Sequence, residues 1–197
     1  MKLKYIVTGT GGCGTKSVAV GFHNAGFVST HEGVLGVTGI MPDIEKYHAD
    51  VEIESSWMAA YHLPRMSRDI FIVHLIRDPE KATLSNYHRG LFTSPNAAGY
   101  ALFAHNALQS LHNYSDPLDK TAHFIIEWNK MIEPYADLTH KIEDGVPALM
   151  DKLGIEFDPA LDEWHHKSGK VHPRLERGQI NDDLWWELLT QKVQYGY

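Results

Sequence analysis

The segment from Tyr5 to Val20, YIVTGTGGCGTKSVAV, is the part of the sequence that most strongly limits how this chain can fold. It begins with a short β-prone apolar run, continues through four glycines within six residues, and ends in apolar residues at helical spacing. This order predicts a strand, a glycine loop and a helix. The start of such a helix presents free backbone N–H groups and the positive end of the helix dipole. The segment therefore predicts an anion-binding loop.

The loop residues approximate, but do not match, a nucleotide-binding P-loop. Gly9 and Gly14 have the separation of the G-x-x-x-x-G-K-[ST] pattern, but Thr15 intervenes before Lys16 and Ser17. A tight turn without a ligand is the alternative, although four glycines cost backbone entropy that a plain turn does not require. Candidate anion-binding residues are Gly11, Gly12, Cys13, Gly14, Thr15, Lys16 and Ser17.

Composition and charge narrow the functional classes. The 197 residues predict a single domain spanning 1–197, and 43% hydrophobic with 22% charged residues is ordinary for a globular protein. A net charge of −7 argues against nucleic acid as a partner. The absence of a long apolar run argues against membrane insertion, and Cys13, the only cysteine, gives no sign of an oxidising compartment. We therefore expect a soluble, cytoplasmic protein.

A second strand-to-helix junction follows the apolar run DIFIVHLI, Asp69 to Ile76, which predicts a strand buried on both faces of a parallel sheet. Arg77 ends this strand, and Asp78 and Pro79 suit the N-cap and first position of the next helix. Arg77 then lies at the carboxyl edge of the sheet, where open α/β folds bind ligands. Taken alone, it is as well explained by a surface ion pair with Asp78 or Glu80.

Glu32 is a candidate for chemistry because of its position. The run Phe27 to Thr30 predicts a short strand, and His31 and Glu32 follow it on a glycine-rich loop. A solvated loop carboxylate is an equally good interpretation of Glu32 from its position alone.

The rest of the sequence predicts helices with a structural role and one basic segment. Helices are expected at Glu54 to Leu63, with Trp57 and Tyr61 on one face, and near Asp182 to Val193. No histidine pair has the spacing of a metal-binding helix motif, so no metal site is predicted. A basic run in the tail could be a solvated loop or a flap over an anion; its members are Lys167, Lys170, Arg174 and Arg177.

Further helices and a strand complete the predicted α/β architecture, a three-layer fold with a central, mostly parallel sheet flanked by helices. The helical segments are Glu80 to Arg89, Tyr100 to Asn113, Asp119 to Tyr135 and one opening at Glu143, and the strand is Asp137 to Ile142.

Several aromatic residues could line a pocket, although core positions are the default for aromatics at helical spacing; they are Trp57, Tyr61, Tyr87, Phe92, Tyr100, Phe103 and Trp128.

Taken together, GTGGCGTKS and RDPEKATLS resemble the sulfotransferases that use 3′-phosphoadenosine-5′-phosphosulfate (PAPS), a family with a P-loop-like fold. The first motif is similar to that family's 5′-phosphosulfate loop, with Cys13, Gly14 and Thr15 at its core. The second is similar to the 3′-phosphate motif, in which an arginine and a serine eight positions later bind the 3′-phosphate; here they are Arg77 and Ser85.

The resemblance covers roughly residues 5 to 160, and it implies a reaction and roles for residues. THEG, Thr30 to Gly33, resembles the segment that carries a catalytic carboxylate, which makes Glu32 the general base. PAPS would be the donor, PAP the product, and a small molecule or carbohydrate the acceptor, with no metal. Many members carry Lys or Arg at the position of Gly12; in this chain Lys16, Arg174 or Arg177 would supply that charge.

The sequence is also compatible with two other functions. A P-loop kinase or NTPase would use Lys16 on ATP and Asp78 as a magnesium ligand. A non-catalytic nucleotide-binding module would retain the fold without the chemistry, and the glycine at position 12 is compatible with it. The sequence gives no indication of oligomeric state.

Overall fold

A parallel sheet forms the centre of the protein in the computed structural model, which describes residues 3–35, 50–161 and 174–197. Within these residues the sheet has five strands in the order β2-β3-β1-β4-β5, and each neighbouring pair is parallel. The strands are β1 (Tyr5–Gly9), β2 (Ser29–His31), β3 (Ile53–Ser55), β4 (Phe71–Ile76) and β5 (Leu138–Lys141). The expected α/β fold with a parallel sheet is therefore confirmed.

Six α-helices connect or cover these strands in the described part of the chain. They are α1 (Thr15–Asn24), α2 (Pro79–His88), α3 (Ala98–Ala107), α4 (Pro117–Ile132), α5 (Val146–Lys152) and α6 (Asp182–Gln194). Several 3₁₀ segments lie between them, of which the longest is Trp57–Arg65. Among the described residues, no helix has both the length and the apolar character needed to cross a membrane.

The two faces of the sheet bury different cores because side chains alternate along each strand. Ile6 and Ile72 belong to a core that α4 and α6 cover. Val7 and Val73, the next residues along the same strands, belong to a second core formed with α1 and α5. Helices thus cover both faces of the sheet, which gives the three layers that the sequence predicts.

The strand order places a topological switch point between β1 and β4. The chain leaves β1 through α1 toward β2 at one edge of the sheet, and it leaves β4 toward β5 at the other edge. A crevice forms outside the carboxyl ends of strands where such connections diverge, and ligands of α/β proteins bind there. The glycine loop follows β1, and Arg77 follows β4, so both lie at this crevice.

One predicted element is wrong. Glu54 does not begin a helix: it lies in β3, fully buried, and the 3₁₀ helix starts only after Ser56, whose hydroxyl accepts from the Met58 amide at 3.2 Å. A three-residue strand is too short to show a period-two pattern, and pairing with β1 and β2 overrides its helical composition. The other predicted helices and strands recur with shifted ends, and Tyr100 to Asn113 divides into α3 and a 3₁₀ turn at Gln109–Asn113.

Gly9 is required at the end of β1 because of its neighbours. A Cβ atom there would lie 2.0 Å from the Leu75 carbonyl oxygen and 2.6 Å from the Cys13 sulfur. We predict that Gly9→Ala lowers the free energy of unfolding by about 3 kcal/mol, because the Leu75 obstacle is backbone in the central sheet.

Gly26→Ala is the matched control, because it has φ +88° but open space around the added methyl group. It should cost only about 1 kcal/mol from the left-handed backbone. Urea denaturation measures both variants, and equal losses would contradict the steric explanation.

Candidate functional site

A cleft of about 710 Å³ opens at the switch point. It brings together the seven predicted loop residues, both residues of the second motif, and Glu32. Its wall is completed by residues that the motifs did not single out: His31, Trp57, Lys81, Asn86, Arg89, Leu91, Ser94, Asn96, Ala97, Tyr100, Phe124, Ile142 and Glu143.

Side chains from the second motif and from α2 hold the glycine loop in place. Arg77 Nη1 donates to the Gly12 carbonyl oxygen at 3.1 Å. Asn86 Nδ2 donates to the carbonyl oxygen of Gly11. Within the described residues, Arg77 forms no ion pair with Asp78 or Glu80, and Lys192 contacts both of those carboxylates. The two motifs are therefore joined directly by hydrogen bonds.

The loop enters α1 through Gly14, which has φ +95° and serves as the N-cap without a side-chain cap. A Cβ on Gly14 would also lie 2.6 Å from Ile142. The first N–H groups of α1 have no partners within the helix, and the residues that carry them line the cleft. The local geometry is thus that of an anion-binding helix start.

Cys13 fills the interior of the turn. Its side chain is fully buried, and burial raises the pKa of the thiol to about 12 against smaller lowering effects that include the Arg77 and Arg89 charges. A neutral, enclosed thiol is a poor nucleophile. Cys13 therefore fills the interior of the tight loop and is not suited to act as a nucleophile.

The hydroxyl residues of α1 occupy different environments. Thr15 Oγ1 lies 3.1 Å from His31 Nε2, and the Ser55 hydroxyl donates to the Thr15 carbonyl oxygen at 2.7 Å. Ser17 is buried at the cleft wall, whereas Lys16 is exposed there. These contacts tie the first turn of α1 to β2 and β3.

Four residues at intervals of four, two within α2 and one just beyond each of its ends, form a row along the cleft. Arg77, Lys81, Ser85 and Arg89 all line the cleft, which is the spacing of a single helix face. Ser85 is buried, whereas Lys81 and Arg89 are exposed. Lys81 and Arg89 were missed in the motif, although their spacing from Arg77 and Ser85 is a signal that could have identified them.

The cleft carries a surplus of positive charge within an acidic protein. Four cationic side chains line it, Lys16, Arg77, Lys81 and Arg89, against the two carboxylates of Glu32 and Glu143. The whole chain has a net charge of −7. Concentration of the scarce cations in one concave surface is suited to binding an anion.

Glu32 lies between the loop and an aromatic wall. Its backbone has φ +56°, a conformation that non-glycine residues rarely adopt and that often accompanies a functional site. His31 Nε2 lies 3.8 Å from Glu32 Oε1 and reaches Thr15, while Tyr100 hydrogen-bonds to the Glu32 carboxylate. The Tyr100 ring in turn packs against Trp57 at a centroid distance of 6.1 Å.

Two effects raise the pKa of Glu32. Burial contributes most, the negative charge of Glu54 adds to it, and the hydrogen bond from Tyr100 opposes both. The carboxyl group therefore holds its proton more tightly than an exposed glutamate does, which suits a group that exchanges protons nearer to neutral pH.

Glu54 anchors the loop that carries Glu32. Its carboxylate accepts from the Thr30 hydroxyl, from Val34 N at 3.3 Å and from Leu35 N at 3.1 Å. Burial raises the pKa of Glu54, and these hydrogen bonds partly offset the effect. Sequence reasoning missed this role because Glu54 was assigned to a helix.

The described residues of the predicted basic tail do not line the cleft. Arg174 and Arg177 are not among the lining residues; Arg174 lies 3.9 Å from Glu80, and Arg177 pairs with Asp182 at 3.2 Å. Lys167 and Lys170 lie outside the residues that the structure describes.

Of the aromatic candidates, Trp57 and Tyr100 line the cleft, together with Phe124, while the others do not.

Comparison with known proteins gives no family assignment: no protein-family model and no curated protein matches this chain. In the described ranges, no group of three or more His, Cys, Asp or Glu side chains is arranged to hold a metal ion. The geometry of the cleft and the resemblance of the two motifs are therefore the indications of function for this chain.

The environment of Glu32 leads to a prediction with opposite signs for two variants. Tyr100→Phe should raise the pKa of Glu32 because it removes a hydrogen bond to the ionised form. Glu54→Gln should lower it because it removes a nearby negative charge. NMR titration of the side-chain carboxyl carbon measures both shifts.

Glu52→Gln is the control, since Glu52 is a more exposed carboxylate that pairs with Lys4. It should leave the Glu32 titration unchanged. Shifts of the same sign in Tyr100→Phe and Glu54→Gln would contradict the assigned causes.

Proposed function

We propose that this protein transfers a sulfuryl group from PAPS to an acceptor hydroxyl or amine. The observation that carries the proposal is that one cleft gathers the glycine loop, the Arg77 and Ser85 pair, and Glu32. These residues are separated widely in sequence, and each was identified from a different motif. Their convergence at the switch point is what the resemblance to the sulfotransferases implies.

The residues present fit a donor with charge at two ends. Loop amides at the start of α1 suit a phosphosulfate, and Arg77 with Ser85 suits a second phosphate. Arg77 uses one N–H on Gly12, and a guanidinium has five such donors, so others remain for a ligand. PAPS supplies an activated sulfuryl group, bonded through oxygen to its 5′-phosphate.

Each group of residues has a role in this proposal. The loop amides, with Thr15, Lys16 and Ser17, would hold the 5′-phosphosulfate and stabilise the negative charge that stays on the phosphate when its bond to sulfur breaks. Glu32 would accept the proton of the acceptor as the acceptor atom bonds to sulfur. Glu54 and Tyr100 would position Glu32.

The kinase or NTPase alternative is less well supported by the contacts of Asp78. Asp78 is buried and accepts from the Glu80 amide at 3.0 Å as the N-cap of α2. Its other oxygen faces Lys192 at 3.4 Å. Both oxygens of the expected magnesium ligand are thus engaged in scaffold contacts, and Asp78 does not line the described cleft.

The acceptor, taken to be a small molecule or carbohydrate, and a cytoplasmic location both remain predictions. PAP binding without transfer to any acceptor would instead favour a non-catalytic module.

Glu32→Gln tests the general base. We expect transfer of radiolabelled sulfate from PAPS to a panel of phenols, alcohols, amines and sugars to fall by about 10²- to 10⁴-fold. PAP affinity should remain near that of the wild type, because in this proposal Glu32 contacts the acceptor and not the donor. An unchanged rate would rule out Glu32 as the base, and an equal loss of PAP affinity would assign it to binding instead.

Arg77→Ala and Ser85→Ala test the anchor for the 3′-phosphate. Loss of charged hydrogen bonds should weaken PAP binding by about 10- to 100-fold in Arg77→Ala, and loss of a neutral hydroxyl by about fivefold in Ser85→Ala. Arg68→Ala is the control, because Arg68 is exposed and does not line the cleft. Wild-type affinity in Arg77→Ala, measured by calorimetry, would contradict the assignment.

A further inference from the structure

Arg89 lies directly beside Gly12. A Cβ atom on Gly12 would be 3.0 Å from Arg89 Nη1 and 3.5 Å from its central guanidinium carbon. The guanidinium therefore occupies the space that a side chain at position 12 would enter. Arg89 immediately follows α2, and its side chain lines the cleft with the glycine loop.

The backbone at position 12 reinforces this arrangement. Gly12 has φ +78°, which L-residues with side chains rarely adopt. A lysine or arginine at position 12 would thus face both backbone strain and the guanidinium of Arg89. Because Gly12 has no side chain, it leaves room beside the loop for the guanidinium group of Arg89, which follows α2.

The side chains of Arg77 and Arg89 differ in their contacts. Arg77 Nη1 is engaged with the Gly12 carbonyl oxygen at 3.1 Å. Within the described residues, the Arg89 side chain forms no hydrogen bond or ion pair with another side chain or with the backbone. Its charge nevertheless reaches the loop, because it acts on Cys13 together with that of Arg77. An exposed guanidinium beside free helix amides is placed to bind a phosphate.

We infer that Arg89 binds the 5′-phosphate end of the donor and supplies the cation that position 12 lacks. This inference rests on the proposed function. The charge that develops on the 5′-phosphate as its bond to sulfur breaks would be met by the Arg89 guanidinium. Arg174 and Arg177, the alternatives suggested by the sequence, pair with acidic residues and do not line the described cleft.

The test compares two ligands that differ only at the 5′ position, adenosine 3′,5′-bisphosphate and adenosine 3′-monophosphate. We expect Arg89→Ala to weaken binding of the bisphosphate by about 10- to 100-fold and to leave binding of the 3′-monophosphate within about twofold. Arg89→Lys should lie between, since it keeps the charge but not the planar pair of donors. Arg68→Ala is the exposed arginine control.

The outcomes separate a local role from a structural one. Equal losses for both ligands in Arg89→Ala would overturn the inference, as would an unchanged affinity for the bisphosphate. Thermal unfolding of each variant shows whether the fold is retained, and Arg89→Lys keeps the test valid if Arg89→Ala does not fold.

Failure of the proposed function is a distinguishable result. If the wild type binds neither adenosine ligand, the sulfotransferase proposal fails, and the same variants are titrated with inorganic pyrophosphate. Loss of pyrophosphate affinity in Arg89→Ala but not in Arg68→Ala would preserve the anion-binding role of Arg89. Equal affinities would overturn that role as well.

Discussion

The close contact between β1 and β4 at Gly9 is the constraint on which the site depends. No side chain fits between the Gly9 Cα and the Leu75 carbonyl oxygen. Gly9, the last residue of β1, pairs with Leu75, so the glycine loop begins beside the end of β4. Arg77, two residues after Leu75, is thereby brought to the Gly12 carbonyl oxygen. Since the C=O and N–H groups of one peptide point in opposite directions, holding the Gly11 carbonyl also fixes the Gly12 amide, whereas the Cys13 amide donates within the loop to the Thr10 carbonyl oxygen at 3.1 Å.

A second constraint acts on the other side of the loop. Glu54 is buried in β3 and its hydrogen bonds hold the backbone after Glu32, which places two carboxyl groups near each other in a poorly solvated region. Burial raises the pKa of both carboxyl groups, and the negative charge of Glu54 raises the pKa of Glu32 further. The anchor that positions Glu32 therefore also tunes its proton affinity, while the hydrogen bond from Tyr100 limits the effect.

The parts of the site with local signals could be predicted from the sequence, and those that depend on packing could not. The glycine loop, and Arg77 at the end of a buried strand, follow from apolar runs and turn residues along the chain. Glu54 was misassigned because a three-residue strand is defined by its neighbours rather than by its own pattern. Tyr100 reaches Glu32 only through the packing of α3, for which no short-range signal exists. Arg89 is intermediate, since its helical spacing was visible but its contact with the loop was not.

Calorimetric titration of the wild-type protein with adenosine 3′,5′-bisphosphate and with ADP, each with and without Mg²⁺, tests the central claim most directly. We expect micromolar binding of the bisphosphate that does not change with Mg²⁺, and weaker binding of ADP. Under the proposed function, Arg77 and Ser85 in the cleft would bind the 3′-phosphate, whereas both oxygens of Asp78 are engaged in scaffold contacts outside the cleft. Preference for ADP with Mg²⁺ would contradict the account and assign the cleft to a nucleotide kinase or NTPase.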